Sequence, residues 1–290
     1  MKTRCYSANM TAALDDSTRS RINAWINGNL EQGHSPESII EYITDNGFDK
    51  NAAMAAVYAL LRGEIPGAVP YEYDPGAISR DRVVHTHDRT VRVLMRVERP
   101  QIALFDNALS ADECDRIIEM AENRLKPSAT IDPATGLFEE AETRTSESIT
   151  LGISENPVID SVERRISALM NSPMDYGEGL QVVRYRTGGQ YMRHFDFYSP
   201  NDPGSIAHLS GGGQRVATLI IYLNDVEAGG ETFFPDPGIS FSPRKGQALY
   251  FRYFNKRGQL DPATIHAGLP VLAGEKWIMN KWMRRYPVPR

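Results

Sequence analysis

The chain has 290 residues, 41% of them hydrophobic and 24% charged, which is ordinary globular composition with apolar material for one sizeable core and a smaller module. Its formal net charge of −5 provides no general basic field of the kind that gathers along nucleic acid, so nucleic acid is not expected as a partner. With only two cysteines, Cys5 and Cys114, a disulfide framework is not supported and a reducing, cytoplasmic setting is expected.

In chain order, the first twenty residues lack an apolar core before a small-residue cleavage site, and no run of eighteen apolar residues occurs anywhere. The expectation is a soluble, unexported protein with no membrane partner. From Ser17 to Arg62, apolar residues recur at spacings of three and four, predicting three short helices; Ser35 and Asp49 are candidate caps, and Pro36 suits a first turn. Residues 1–65 therefore read as a small helical module that binds a protein partner or pairs with a second copy. Residues 66–98, rich in proline, glycine and charge, read as a linker; the His85-x-His87 pair inside it has no third ligand nearby.

Residues 99–290 have a different texture. QIALFD precedes Ser110-x-x-Glu113, a capping box that opens one amphipathic helix, and NPVIDSVERRISALM gives a second. From Leu180 onward short apolar runs separated by turn residues (LQVVRY, QYMRHFDF, QRVATLIIYL, ETFFP, ISFSP, QALYFRYF, TIHAGLPVL, KWIMNKWMRRY) predict a sandwich or barrel of the jelly-roll type, with the helices covering one outer face.

His194-Phe195-Asp196 carries the chemistry. On a strand, alternate side chains share a face, so an H-x-D triplet aims an imidazole and a carboxylate at one point. Two histidines and one carboxylate on one face of an octahedron leave three positions open, the arrangement suited to iron(II), and His266 is the candidate third ligand. If KWIMNKW is one strand, Lys276, Ile278, Asn280 and Trp282 share a face; an inward ammonium needs a charge partner, and the far carboxylate of a dicarboxylate would supply it. A lysine with its stem along the barrel and its head in water is the alternative.

YRTGGQYMRHFDFY, QRVATLIIYLNDVEAGGETFFP and HAGLPVLAGEKWIMNKW resemble, in order, successive motifs of prolyl 4-hydroxylase catalytic domains, iron(II)- and 2-oxoglutarate-dependent dioxygenases. The likeness spans roughly Pro100 to Tyr286. It implies a mainly β protein with flanking helices: a double-stranded β-helix (jelly-roll) catalytic domain behind the helical module. It further implies His194, Asp196 and His266 as ligands of Fe(2+), Lys276 as partner of the 2-oxoglutarate C5 carboxylate, Tyr185 and Thr218 as hydrogen-bond partners of that co-substrate, and Trp282 closing the pocket. Substrate contacts implied in the same way are Glu178, Tyr191 and Arg144-Thr145-Ser146, beside a candidate lid (DPATGLFEEAE). Arg284 departs from the histidine that family members often place two positions after the tryptophan, leaving the substrate open.

The implied reaction consumes O2 and 2-oxoglutarate, releases succinate and CO2, and hydroxylates an unactivated C–H bond, with ascorbate as reductant. A prolyl residue of a peptide or protein is the leading substrate. A free amino acid or other small molecule, with Arg284 clamping its carboxylate, is the alternative. A non-enzymatic metal-binding jelly roll that acts as an interaction protein is the second. The loop Tyr198 to Gln214 reads as a mobile substrate loop, and His208 within it as a loop residue.

Overall fold

The structure, a computed structural model, describes residues 16–32, 34–46, 48, 50–61, 71–75, 80–132, 135–199 and 203–289. Its helices and strands fall into two compact units.

The first unit holds the helices Asp16–Gln32, Pro36–Asp45 and Lys50–Leu61, where apolar spacing places them. The Ser35 side chain accepts from the Ser38 amide at the second helix's start, with Pro36 in the first turn. Ile26, Ile39, Ile40, Val57 and Leu60 are buried, while Trp25 stacks on Tyr42 at the surface. Asp49 and Gly47 lie outside the described residues, as does Cys5.

The second unit is mainly β. Nine antiparallel strands form its larger sheet, in spatial order Val83–His85, Thr90–Val97, Gln101–Asp106, Ala248–Arg252, Arg215–Tyr222, Lys276–Arg284, Leu180–Tyr185, Glu147–Leu151 and Lys126–Pro127. A smaller sheet runs Ile239–Phe241, Thr232–Phe234, His266–Gly268, Tyr191–His194. This two-sheet class with flanking helices is the one the strand runs predict.

Central strands are buried on both faces, which is why they read as continuous apolar runs. In the Arg215–Tyr222 strand, Leu219 and Ile221 enter one core while Ile220 and Tyr222 enter the other. The first core lies beneath the helices Ala111–Glu122 and Pro157–Met170, which contribute Cys114, Ile117, Ile159, Val162 and Ile166. The second joins the two sheets through Phe234, Phe251, Tyr253 and Ile278. Fully burying each such side chain stabilises the fold by about 1.5–3 kcal/mol. The Ser110–Glu113 capping box forms as expected. Burial pushes the Cys114 thiol up to about 12, so it behaves as a small apolar residue.

Two stretches differ from the sequence reading. Within the expected linker, Val83–His85 and Thr90–Val97 are strands, because Val91 is fully buried and Val84 and Val93 pack beside it; flanking charges hide that alternation. The same stretch is fastened at Glu72, whose carbonyl accepts from Asn255 at 2.8 Å, and at Asp74, which pairs with Arg252 at 3.3 Å. Within the expected loop, Pro203–Leu209 forms a short helix. Among the described residues no helix is long and apolar enough to cross a membrane.

Candidate metal centre

His194 ends one strand of the smaller sheet, His266 begins its neighbour, and the two are direct partners in antiparallel register. Their ring centroids lie 4.3 Å apart. Asp196 comes after the strand has ended, so the two ligands of the H-x-D triplet do not share one continuous strand; the chain bends and still delivers the carboxylate. Asp196 Oδ1 is 3.5 Å from His194 Nε2, and Oδ2 is 3.8 Å from His266 Nε2.

Both histidines are oriented from behind. His194 Nδ1 lies 2.8 Å from the Met192 carbonyl, and His266 Nδ1 3.1 Å from that of Thr264. A carbonyl can only accept, so each Nδ1 carries the hydrogen and each Nε2 keeps its lone pair for the shared space. Thr218 donates to Asp196 Oδ2 at 2.6 Å and itself lies 3.1 Å from the Tyr253 hydroxyl. Burial drives the His266 imidazole down to about 4, with the neighbouring His194 adding to the effect, which keeps it neutral as a ligand must be. Burial also works to raise the Asp196 carboxyl, but the imidazole of His266, the contact with His194 and the Thr218 hydroxyl together hold it below the usual carboxylate range.

Three donor atoms, one from each residue, lie within 4.8 Å of one another, and among the described residues this is the group able to hold a metal ion. Bonds of about 2.1 Å set neighbouring ligands on an octahedral face roughly 3 Å apart, so slight side-chain shifts close the set. Two neutral imidazoles and one carboxylate fit ferrous iron.

Lys276 opens the central Lys276–Arg284 strand with its side chain 2% exposed. The Nζ sits 5.4 Å from the Tyr185 ring centroid and 6.0 Å from that of Tyr222; among the described residues no carboxylate is within ion-pair distance. Burial lowers the ammonium to about 8, with Glu231 opposing. Gly268, two residues past His266, runs beside the ammonium: a Cβ there would lie 3.9 Å from Nζ, in ordinary contact. A buried ammonium this poorly compensated fits the distal carboxylate of 2-oxoglutarate. Tyr185, its direct register partner, is buried, with Arg144 and Ser146 beside its hydroxyl.

Tyr191 stacks on His194 at 3.5 Å between centroids, and Arg144 lies 5.0 Å from the Tyr191 ring. Arg144 donates to Ser146 at 3.3 Å and to Gln181 at 2.9 Å. Beside it opens a groove of about 430 Å³, lined by Ser128, Glu142, Thr145, Ser146 and Arg184 among others.

Three expectations take a different form. Thr218, expected to meet the co-substrate, bonds the metal-side carboxylate. Glu178 and Arg284, expected to face the substrate, are bonded to each other at 2.9 Å, and Arg215 grips Glu178 through two bonds of 2.8 and 2.7 Å. Burial works to raise the Glu178 carboxyl, yet Arg215 and then Arg284 hold it below its ordinary value. Arg215 was not singled out by the sequence, because a charge at a strand's first position reads as a solvated end. Its guanidinium donates to the Asp196 carbonyl at 3.2 Å and lies 4.0 Å from the Trp282 ring.

The 2OG-Fe(II) oxygenase superfamily model matches residues 180–284, which hold all three candidate ligands and Lys276. The chain is 39% identical over 186 residues to prolyl 4-hydroxylase subunit alpha-1 of Gallus gallus, covering 64% of this chain and 36% of that protein, so it spans about a third of that relative's length. It is 35% identical over 203 residues to probable prolyl 4-hydroxylase 3 of Arabidopsis thaliana, covering 63% of this chain and 69% of that one. Among solved structures, a viral collagen prolyl hydroxylase from Paramecium Bursaria Chlorella virus-1 in complex with 2OG matches with a TM-score of 0.50 and 32% identity, over 63% of this chain and 95% of that chain. Motif order, ligand geometry and overall similarity agree: the chain belongs to the prolyl 4-hydroxylase family of the 2OG-Fe(II) oxygenase superfamily.

Proposed function

We propose that this chain hydroxylates prolyl residues in a peptide or protein, using 2-oxoglutarate and O2. The observation that carries the reading is a His194–Asp196–His266 donor set with the buried Lys276 near enough to act on His266, and no carboxylate among the described residues within ion-pair distance of that ammonium. When bound, ferrous iron with these co-substrates supplies oxidation of an unactivated C–H bond, releasing succinate and CO2, with ascorbate as the reductant that preserves the ferrous state.

The chain's own residues do the rest. Carbonyls of Met192 and Thr264 fix both imidazole tautomers, and Thr218 fixes the carboxylate. Lys276 binds and orients the dicarboxylate, with Tyr185 packed beside it. Trp282, half-buried next to Arg215, walls the pocket. Tyr191 lies between His194 and Arg144, and Arg144 and Ser146 line the neighbouring groove, which this reading gives to the peptide. The small-molecule alternative asks Arg284 to clamp a free carboxylate, yet its guanidinium already bonds Gly213, Glu178, Tyr198 and His208. The helices before residue 65 serve, in this reading, to engage a protein partner or a second copy.

The test is to incubate iron-loaded protein with 2-oxoglutarate, ascorbate and separate pools of proline-containing peptides and free amino acids. Succinate and the mass gain of one oxygen atom are followed. Peptide-dependent turnover is expected; turnover with free amino acids alone, or none, contradicts the reading.

A further inference from the structure

Arg284 reaches across to the segment 203–213. Its Nε–H donates to the Gly213 carbonyl at 2.8 Å and its Nη2–H to the His208 carbonyl at 2.5 Å, while Glu178 receives Nη1–H at 2.9 Å and the Tyr198 hydroxyl lies at 3.4 Å. A planar fork with fixed donors makes these bonds simultaneously, which a lysine's point charge does not. One strand residue, itself held by a carboxylate, thus fastens the segment at two carbonyls.

The segment in turn holds the Ala129–Ile131/Phe138–Glu140 hairpin. His208 Nε2 lies 2.9 Å from the Gly136 carbonyl, and its ring meets Phe138 edge-on at 5.4 Å and stacks on Tyr198 at 5.6 Å. The backbones of Gly136 and Gly204 touch: a Cβ on Gly204 would stand 2.4 Å from the Gly136 nitrogen. Leu137 and Phe138 at the hairpin tip, 63% and 67% exposed, remain uncovered apolar surface.

We infer that Arg284 is a positioning residue for peptide binding: it holds the 203–213 segment, and through His208 the hairpin, in the arrangement that receives the substrate. This rests on the peptide reading above. Ordering the two segments in advance removes that entropic cost from the binding step, so loosening them weakens peptide binding and leaves the metal and Lys276 untouched.

Arg284→Lys keeps the charge near Glu178 but loses the fork; His208→Phe keeps the ring contacts and loses the Gly136 bond. In R284K, hydrogen–deuterium exchange of the 203–213 amides is expected to rise about tenfold. The peptide KM rises about tenfold, with kcat and the 2-oxoglutarate KM within about twofold. H208F accelerates exchange in the hairpin, with a smaller rise in peptide KM. Unchanged exchange in R284K overturns the inference. So does faster exchange with an unchanged peptide KM, or equal loss in kcat and 2-oxoglutarate KM, the signature of a merely structural role. A wild-type chain that turns over no peptide would instead sink the substrate reading, while the exchange measurement still decides whether Arg284 anchors the segment.

Discussion

Thr218 donates its hydroxyl hydrogen to Asp196 at 2.6 Å, and the same oxygen lies 3.1 Å from the Tyr253 hydroxyl. The carboxylate is therefore held on one oxygen and free to bind metal with the other. Thr218→Val keeps the shape and removes the donor. Ferrous-ion affinity, titrated without oxygen, should fall about 10–100-fold with little change in fold. Unaltered affinity would show that the hydroxyl does not orient the ligand.

Lys276 gives the site a pH signature. Burial lowers its ammonium to about 8 from the ordinary lysine value of 10.5. The cost of burying the charge is thus fully present below about pH 8 and is relieved as pH rises toward the ordinary value, where the unfolded chain still holds the proton. For an anionic co-substrate the direction reverses: 2-oxoglutarate affinity is level below about pH 8 and falls up to about tenfold per unit above it. Lys276→Met should abolish that dependence, weaken 2-oxoglutarate binding about 100-fold or more, and stabilise the ligand-free protein by about 1–4 kcal/mol. Calorimetric titration across pH, with thermal melts, checks both halves.

Asp261 is 1% exposed, and its Oδ2 meets no partner among the described residues. Burial drives its carboxyl up to about 7 from 3.8, although the Ala263 amide and the Tyr73 hydroxyl oppose it. Between about pH 4 and 7 the folded chain keeps a proton that the unfolded chain has released. Stability from this group is therefore full at low pH and lost as pH rises, by about 1.4 kcal/mol per unit. Denaturant unfolding of wild type and Asp261→Asn should diverge with pH over that window; a constant difference would contradict the assignment.

Arg165 links one covering helix to the other helix's cap and to Asp88. It donates to Glu113 at 2.7 and 3.1 Å and to Asp88 at 3.1 Å, with its side chain 1% exposed. Two carboxylates raise its basicity against the opposing effect of burial. Arg165→Met leaves both acids without their buried partner and should cost about 3–5 kcal/mol in urea unfolding. The turnover of the folded fraction should stay constant, because this cluster lies under the helices and not at the metal.

Where sequence and structure agree, the signal was local and periodic. The capping box at Ser110, the apolar run ending in Tyr222 and the alternation from Lys276 to Trp282 each follow from rules acting within a few residues. The candidate ligands stand out by the H-x-D spacing and by the resemblance that also supplies the distant His266, although Asp196 reaches the site from beyond the strand's end and not by strand alternation. What escaped depends on tertiary partners. Val91 is buried only because a sheet edge and the helix layer close over it, and nothing nearby in sequence announces either. Arg215 reads as a strand-end charge, and Arg284 as a clamp for a substrate carboxylate, until Glu178, far away in the chain, is seen between them. The helix at Pro203–Leu209 is short, glycine-containing and packed by contact with Gly136, so propensity alone could not signal it.

The most direct measurement is an oxygen-free titration of ferrous iron into the protein, with and without 2-oxoglutarate, in wild type, Asp196→Ala and Lys276→Met. Wild type should bind one equivalent, tightened by 2-oxoglutarate; D196A should lose the site, and K276M should keep the iron but lose the tightening. Iron binding that survives D196A, or that 2-oxoglutarate leaves unaffected in wild type, would contradict a single centre built from His194, Asp196, His266 and Lys276.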